Sequence, residues 1–238
     1  MLKEFAKFLS EMKETKIFDV GERKYTNDAN LVEIIPRVDR PSCLNVSSLD
    51  AICKLVRTEI ERNVSPIFVC AESYKDVVVR STYRDDYSRD TMYAAKADAP
   101  GLATGWKSQQ EWIIALQSLV IPTASSQELL NMIKNMTDEN SVTSRDNGVT
   151  QEVTVRNGVS LNATVQVKPR VALTPFRTFL EVPQPESEYL VRVDKGNQIG
   201  LFEADGGIWK LEAKKNIAKY FEEKLADLIE VGEVVVIQ

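Results

Sequence analysis

The sequence predicts an α+β fold with a mostly antiparallel sheet, several amphipathic helices and a C-terminal β-hairpin–helix–strand unit. Three observations predict it. Runs with strand alternation and β-branched residues recur between polar turns, as in "IFVCAES", "DVVVRSTY" and "DTMYAAKAD". Stretches with helical spacing stand apart from them, as in "KSQQEWIIALQSL". Asn157-Gly158 separates two alternating runs, and that dipeptide is the strongest short signal for a hairpin.

Taken in order, residues 2–14 have Leu2, Phe5, Leu9 and Met12 on one helical face. That face either packs on the body or docks on another copy as an arm. "LVEIIPRV" reads as a short strand ended by Pro36. Ser47 or Ser48 can cap a helix whose stripe is Leu49, Ile52, Cys53, Val56 and Ile60, ending near Asn63. The three β-rich runs that follow suit an antiparallel meander, and Pro100-Gly101 and Gly105 mark a loop. Trp112, Ile113, Leu116 and Leu119 point inward from the next helix. Another begins in "TASSQELLNMIKNM", capped by Ser125 or Ser126. "TDENSVTSRDNGVTQ" reads as an exposed loop and the best internal boundary. It separates an N-terminal α+β region with a helical arm (1–140) from a C-terminal meander plus helix (149–238), continuous with it as one domain. "VQVKPRVAL" reads as one strand, with Val165, Val167, Val171 and Leu173 on one face and Lys168, Arg170 and Thr174 on the other. "EYLVRVDKGNQIGLFEADGGIWKLEA" reads as three strands. A helix follows with Ile217, Tyr220, Phe221, Leu225 and Leu228 inward, then a last strand, "EVVVIQ".

Composition removes whole classes of function. The 238 residues include no histidine, which excludes Ser-His-Asp and Cys-His chemistry and nearly all catalytic zinc sites. The three cysteines, Cys43, Cys53 and Cys70, form no CxxC pair, so neither a zinc site nor a disulfide framework is supported, and free thiols fit a reducing compartment. The net charge of −5 opposes binding to duplex DNA, which needs a surplus of Lys and Arg. No apolar run reaches the length of a membrane span, and "MLKEFAKFLSEMKE" lacks the apolar core of a signal peptide. No P-loop, GxGxxG, GxSxG or HExxH motif is present, and no cofactor is expected.

The stretch "GLFEADGGIWKLEA" holds the sharpest alternatives. Asp205-Gly206-Gly207 can turn a hairpin, with Asp205 on turn amides and Trp209 anchoring a core or an interface. Alternatively Glu203 and Asp205, two apart, can share a face and bind Mg²⁺ for phosphoester hydrolysis. Arg177, between Phe176 and Phe179, is either a packed cation–π residue or an anion-binding fork. Together with Lys168, Arg170 and Arg192 it makes the main cationic cluster, and with Trp209 these are the candidate ligand-binding residues. "YKDVVVRSTYRDDYSRD" interleaves Arg80, Tyr83, Arg84, Tyr87 and Arg89 in a pattern that can stack nucleotides. Its own Asp85, Asp86 and Asp90 favour a solvated loop instead.

"VALTPFRTFLEVPQPESEYLVRV", "GLFEADGGIWKLEA" and "NIAKYFEEKL" together resemble the YfdQ-like family of phage and prophage proteins, a domain of unknown function. The resemblance covers residues 171–225. The matching positions are Pro175, Arg177, Glu181, Pro185, Glu186, Glu203, Asp205, Gly206, Gly207, Trp209 and Glu212. Family members often carry a histidine-containing segment upstream, and this chain does not. The resemblance implies no residue roles. It implies a phage gene among early accessory functions, acting in the bacterial host cytoplasm.

The sequence therefore points to a non-enzymatic phage binding protein. Counter-defence is its most economical form, by holding a nucleotide-like anion in a homo-oligomer. The alternatives are an accessory protein of phage DNA replication or recombination, working through host or phage proteins or single-stranded DNA, and a self-assembling structural protein.

Overall fold

The structure, a computed structural model, describes residues 17–21, 23–26, 32–33, 42–62, 66–84, 87–136, 143–146, 151–157, 160–167, 169–194 and 198–238. The helix expected over residues 2–14 lies outside them, as does Lys168. The fold is α+β and mostly antiparallel. It divides into two compact units, residues 1–42 with 83–90, and residues 43–82 with 91–238.

In the first unit β1 (Ile17–Val20), β2 (Arg23–Thr26) and β3 (Val32–Glu33) form an antiparallel sheet. β3 is the short strand expected in "LVEIIPRV".

The second unit contains a five-stranded sheet. The expected meander is its centre: β5 (Ile67–Ala71), β6 (Asp76–Arg80) and β7 (Thr91–Lys96) pair antiparallel in sequence order. Both edges are parallel additions. β4 (Leu44–Val46) pairs with β7, and the last strand, β15 (Val234–Ile237), pairs with β5. Helix α1 (Leu49–Glu59) is capped by Ser48, whose hydroxyl accepts from the Ala51 amide, and a 3₁₀ turn extends it to Arg62. Its stripe of Leu49, Ile52, Cys53 and Val56 meets Ile67, Val69, Val77 and Val79 from the sheet. Helix α4 (Trp209–Lys224) adds Ile217 and Phe221 to this core, followed by Leu225 and the short α5 (Ala226–Glu230). Arg57 ties α1 to α5 by a bidentate pair with Asp227, at 2.8 and 2.7 Å.

A four-stranded antiparallel sheet runs β12 (Arg170–Leu173), β13 (Ser187–Val193), β14 (Ile199–Glu203), β8 (Gly105–Lys107). Helices α2 (Gln109–Leu119) and α3 (Ala124–Lys134) cover one of its faces. Trp112, Leu116, Leu130 and Ile133 pack there on Leu173, Tyr189, Val191, Ile199 and Leu201. The Trp112 indole N–H donates to the Ile199 carbonyl at 2.7 Å. A third sheet pairs β9 (Thr143–Asp146), β10 (Gln151–Asn157) and β11 (Ser160–Val167) antiparallel, with β10 and β11 flanking the Asn-Gly dipeptide.

Five local expectations are corrected. Thr123, not Ser125 or Ser126, caps α3. Its hydroxyl accepts from the Ser126 amide, and the Ser126 hydroxyl oxygen accepts from the Thr123 amide. The polar stretch before residue 151 is not wholly a loop, since β9 lies in it. "VQVKPRVAL" is two strands of two sheets, broken ahead of Arg170, because Pro169 has no N–H to donate to a ladder. Gly105 opens β8 rather than lying in a loop. The third strand expected beyond β14 is the start of α4, because Trp209, Ala213, Ile217 and Phe221 repeat at the spacing of one helical face.

Trp112→Phe keeps most of the packed volume but leaves the Ile199 carbonyl without its donor. Chemical denaturation is expected to show a loss of about 1–3 kcal/mol.

Candidate functional site

The connector of residues 174–186 joins the two cores of the second unit. It leaves β12 after Leu173 in one core and places Phe179 and Val182 in the other. Three prolines, Pro175, Pro183 and Pro185, bias it to extended backbone and to turns. Gln184 folds it on itself. Its side-chain oxygen accepts from the amides of Arg177 (2.9 Å) and Thr178 (3.2 Å), and its side-chain nitrogen donates to the Phe179 carbonyl at 2.8 Å. Thr178 donates to the Tyr74 carbonyl in the β5–β6 turn, and Glu181 accepts from the Leu49 amide at 2.9 Å, at the start of α1.

Arg177 is the centre of this joint. It is only 4% exposed. Its guanidinium lies on the Trp209 ring, 3.7 Å from the centroid. One terminal nitrogen donates to Glu203 at 2.8 Å and reaches the Tyr189 hydroxyl at 3.4 Å. The other donates to the Pro185 carbonyl at 3.0 Å and to the Ser187 hydroxyl. The Ser187 hydroxyl in turn donates to Asp205 at 2.7 Å, and Asp205 also accepts from the Gly207 amide at 2.9 Å. Tyr74 closes the stack edge-on, 4.7 Å from Trp209. Among the described residues, Arg177 Nε and Trp209 Nε1 are buried without a hydrogen-bond partner.

The electrostatics follow from burial. It lowers the Arg177 pKa from its usual value, with Tyr189, Glu203 and Asp205 opposing the shift. Burial pushes the Tyr189 hydroxyl up to about 12, against the pull of Arg177. Burial also works to raise Asp205, but the Ser187 hydroxyl, the Gly207 and Trp209 amides and the Arg177 charge together bring it below the ordinary carboxylate value. Elsewhere, burial raises the Cys53 thiol to about 11, far from a reactive thiolate.

Arg177, Glu203, Asp205 and Trp209 are thus brought together, and their charges are spent on one another. Gly206 and Gly207, at φ 65° and 82°, make the tight turn that delivers β14 into α4, where a side chain would be strained. Glu203 and Asp205 face an arginine and a serine. Among the described residues there is no group of three or more acidic or cysteine side chains placed to hold a metal ion.

Arg170 and Arg192 are not part of this cluster. In the four-stranded sheet the odd-numbered positions of β13 face α2 and α3, while Arg170, Glu188, Leu190 and Arg192 lie on the other face. Arg170 is exposed and pairs with Glu188 at 2.7 Å. Arg192 donates to the Val191 carbonyl at 2.9 Å and has no carboxylate within ion-pair distance among the described residues. In the Tyr/Arg-rich loop, Arg84 is held by Asp90 at 2.8 and 2.6 Å, and Arg89 stacks on Tyr83 at 3.9 Å.

Sequence reasoning missed two residues of that outer face, Trp106 on β8 and Phe202 on β14. Their rings meet edge to face, 5.6 Å apart, above Gly200. A Cβ on Gly200 would lie 2.6 Å from the Phe202 ring, so the glycine makes room for the aromatic pair. The alternation in "IGLFE" carries a signal for Phe202. Nothing marks Trp106, because a three-residue edge strand is too short to show a period.

Compared with protein-family models, curated proteins and solved structures, the chain matches none. Among the described residues, no helix is long and apolar enough to cross a membrane.

Two outcomes follow from the buried cluster. Arg177→Ala removes the stack and leaves Glu203 without its cation, and is expected to lower stability by about 3–5 kcal/mol. Arg177→Lys is expected to recover only part of that, since an ammonium lacks the planar fork. For Asp205, a folded pKa below the unfolded value means its contribution is present above the ordinary carboxylate range and is lost as pH falls through the folded value. The gap in melting temperature between the native chain and Asp205→Asn is therefore expected to be widest above about pH 5 and to close below about pH 4. A gap independent of pH would contradict the assignment.

Proposed function

We propose that the chain is a non-enzymatic binding protein that holds an anionic, nucleotide-like ligand on the outer face of its four-stranded sheet. One observation carries this reading. Arg192, beside an exposed aromatic side chain on that face, is free of any ion pair among the described residues, whereas the arginine of the Trp209 cluster is buried and already neutralised. A cation can attract a ligand only if its own protein has not satisfied it. Glu203 accepts from Arg177 and Asp205 accepts from Ser187 and the Gly207 amide, which disfavours the Mg²⁺ reading. The resemblance to phage and prophage proteins supports a setting in the bacterial host cytoplasm. There, sequestration of a nucleotide-like signal by an oligomer is the counter-defence form of the same activity.

The test is fluorescence anisotropy with a dye-labelled nucleoside triphosphate at low salt. Binding is expected to weaken about tenfold on Arg192→Ala, the loss of one charge-assisted contact, with the thermal midpoint unchanged. The nucleotide is expected to be recovered intact. Absence of binding, or Mg²⁺-dependent turnover that disappears on Asp205→Asn, would overturn the proposal. Native mass spectrometry of the bound sample reads the subunit number that sequestration requires.

A further inference from the structure

We infer that the ligand of the outer sheet face is single-stranded DNA, its bases stacking on Trp106 and Phe202 and its phosphates meeting Arg192. The inference rests on the binding role proposed for that face and names the ligand class.

The strand register builds the platform. Arg192 on β13 pairs with Gly200 on β14, and Gly200 pairs with Trp106 on β8. These three positions form one row across the sheet, and Arg192 and Trp106 sit two strand spacings apart, about 10 Å. The adjacent row is Arg170, Leu190 and Phe202. Gly200 carries no side chain, and the Phe202 ring fills the space above it against Trp106. The surface is thus a low aromatic floor with an arginine at the same side of each row.

Three features select the ligand. Trp106 is 47% exposed although it is large and apolar, and a planar base is a partner that covers such a ring without requiring hydrogen bonds. The unpaired charge on these rows favours an anion, since Arg170 is neutralised by Glu188 and Arg192 is not paired among the described residues. The platform is one face of a sheet, laid out as two parallel rows across its strands. A free nucleotide gains affinity by having most of its surface enclosed, whereas a strand gains it by repeating modest contacts along its length. Duplex DNA is disfavoured because its bases are stacked inside and only its phosphates would reach two arginines. The side chains on these two rows offer no oxygen acceptor for a ribose 2′-hydroxyl, and the nearest carboxylate on the face, Glu188, is engaged by Arg170, so the rows favour DNA.

The experiment measures the affinity of the full chain for a dye-labelled oligothymidylate of about 12 nucleotides, with site sizes of this order typical of single-strand platforms. The expected results are tight binding relative to the single labelled triphosphate and a loss of at least roughly tenfold on Trp106→Ala. Trp106→Phe should restore most of that affinity. On Arg192→Ala the slope of log affinity against log salt should fall by about 0.7. Circular dichroism and thermal melting verify that each variant keeps its fold. If the triphosphate binds through Arg192 but the oligonucleotide binds no more tightly and ignores Trp106, the single-strand inference fails while the binding role stands. If neither ligand binds, both fail. Binding to oligouridylate at least roughly tenfold tighter than to oligothymidylate would also overturn the choice of DNA.

Discussion

The structure depends on one buried cation. Arg177 stacks on Trp209, bonds Glu203 at the end of β14 and reaches Asp205 through Ser187. A buried guanidinium is costly unless most of its donors are met, and the partners of the two terminal nitrogens hold the surrounding elements together. Those elements are the connector, the first residue of β13, the end of β14 and the start of α4. They belong to two different cores. The cluster joins the cores by satisfying a charge as well as by apolar packing.

This has a consequence for function. The residues that look most chemical in the sequence, an arginine among aromatics and two acids beside a Gly-Gly turn, are engaged in holding the fold. The residues proposed to meet a ligand are on the opposite side of the same sheet. There the aromatic pair Trp106 and Phe202 lies across a glycine from Arg192, and helices α2 and α3 occupy only the other face. A sheet with one face packed and one face open is the usual outcome of antiparallel pairing. On this sheet the second face carries the Trp106–Phe202 pair and Arg192.

Much of the fold was legible because periodicity reports burial directly. The meander β5–β6–β7, helix α1 with its Ser48 cap and the stripe of Ile217, Phe221 and Leu225 all appear where the pattern places them. The parallel additions of β4 and β15 were not legible, because no local signal states which strand a distant segment will join. The turn at Asp205–Gly207 was read correctly as a turn and wrongly as a hairpin, since Gly-Gly permits either exit. What decides between them is whether Trp209 continues a period of two or of 3.6. The candidate site divides in the same way. Chemistry-bearing residues could be found, but whether Arg177 faced solvent or Trp209 depended on long-range packing. Trp106 gave no sign because its strand is three residues long.

Amide hydrogen exchange with and without oligothymidylate measures directly where a ligand touches the molecule. The predicted result is added protection across Gly105–Lys107, Ser187–Val193 and Ile199–Glu203, with the connector of residues 174–186 and the turn at 204–208 unchanged. Protection centred on the connector and the turn, with the sheet strands unaffected, would contradict it and return Arg177 and Trp209 to the role of a binding site.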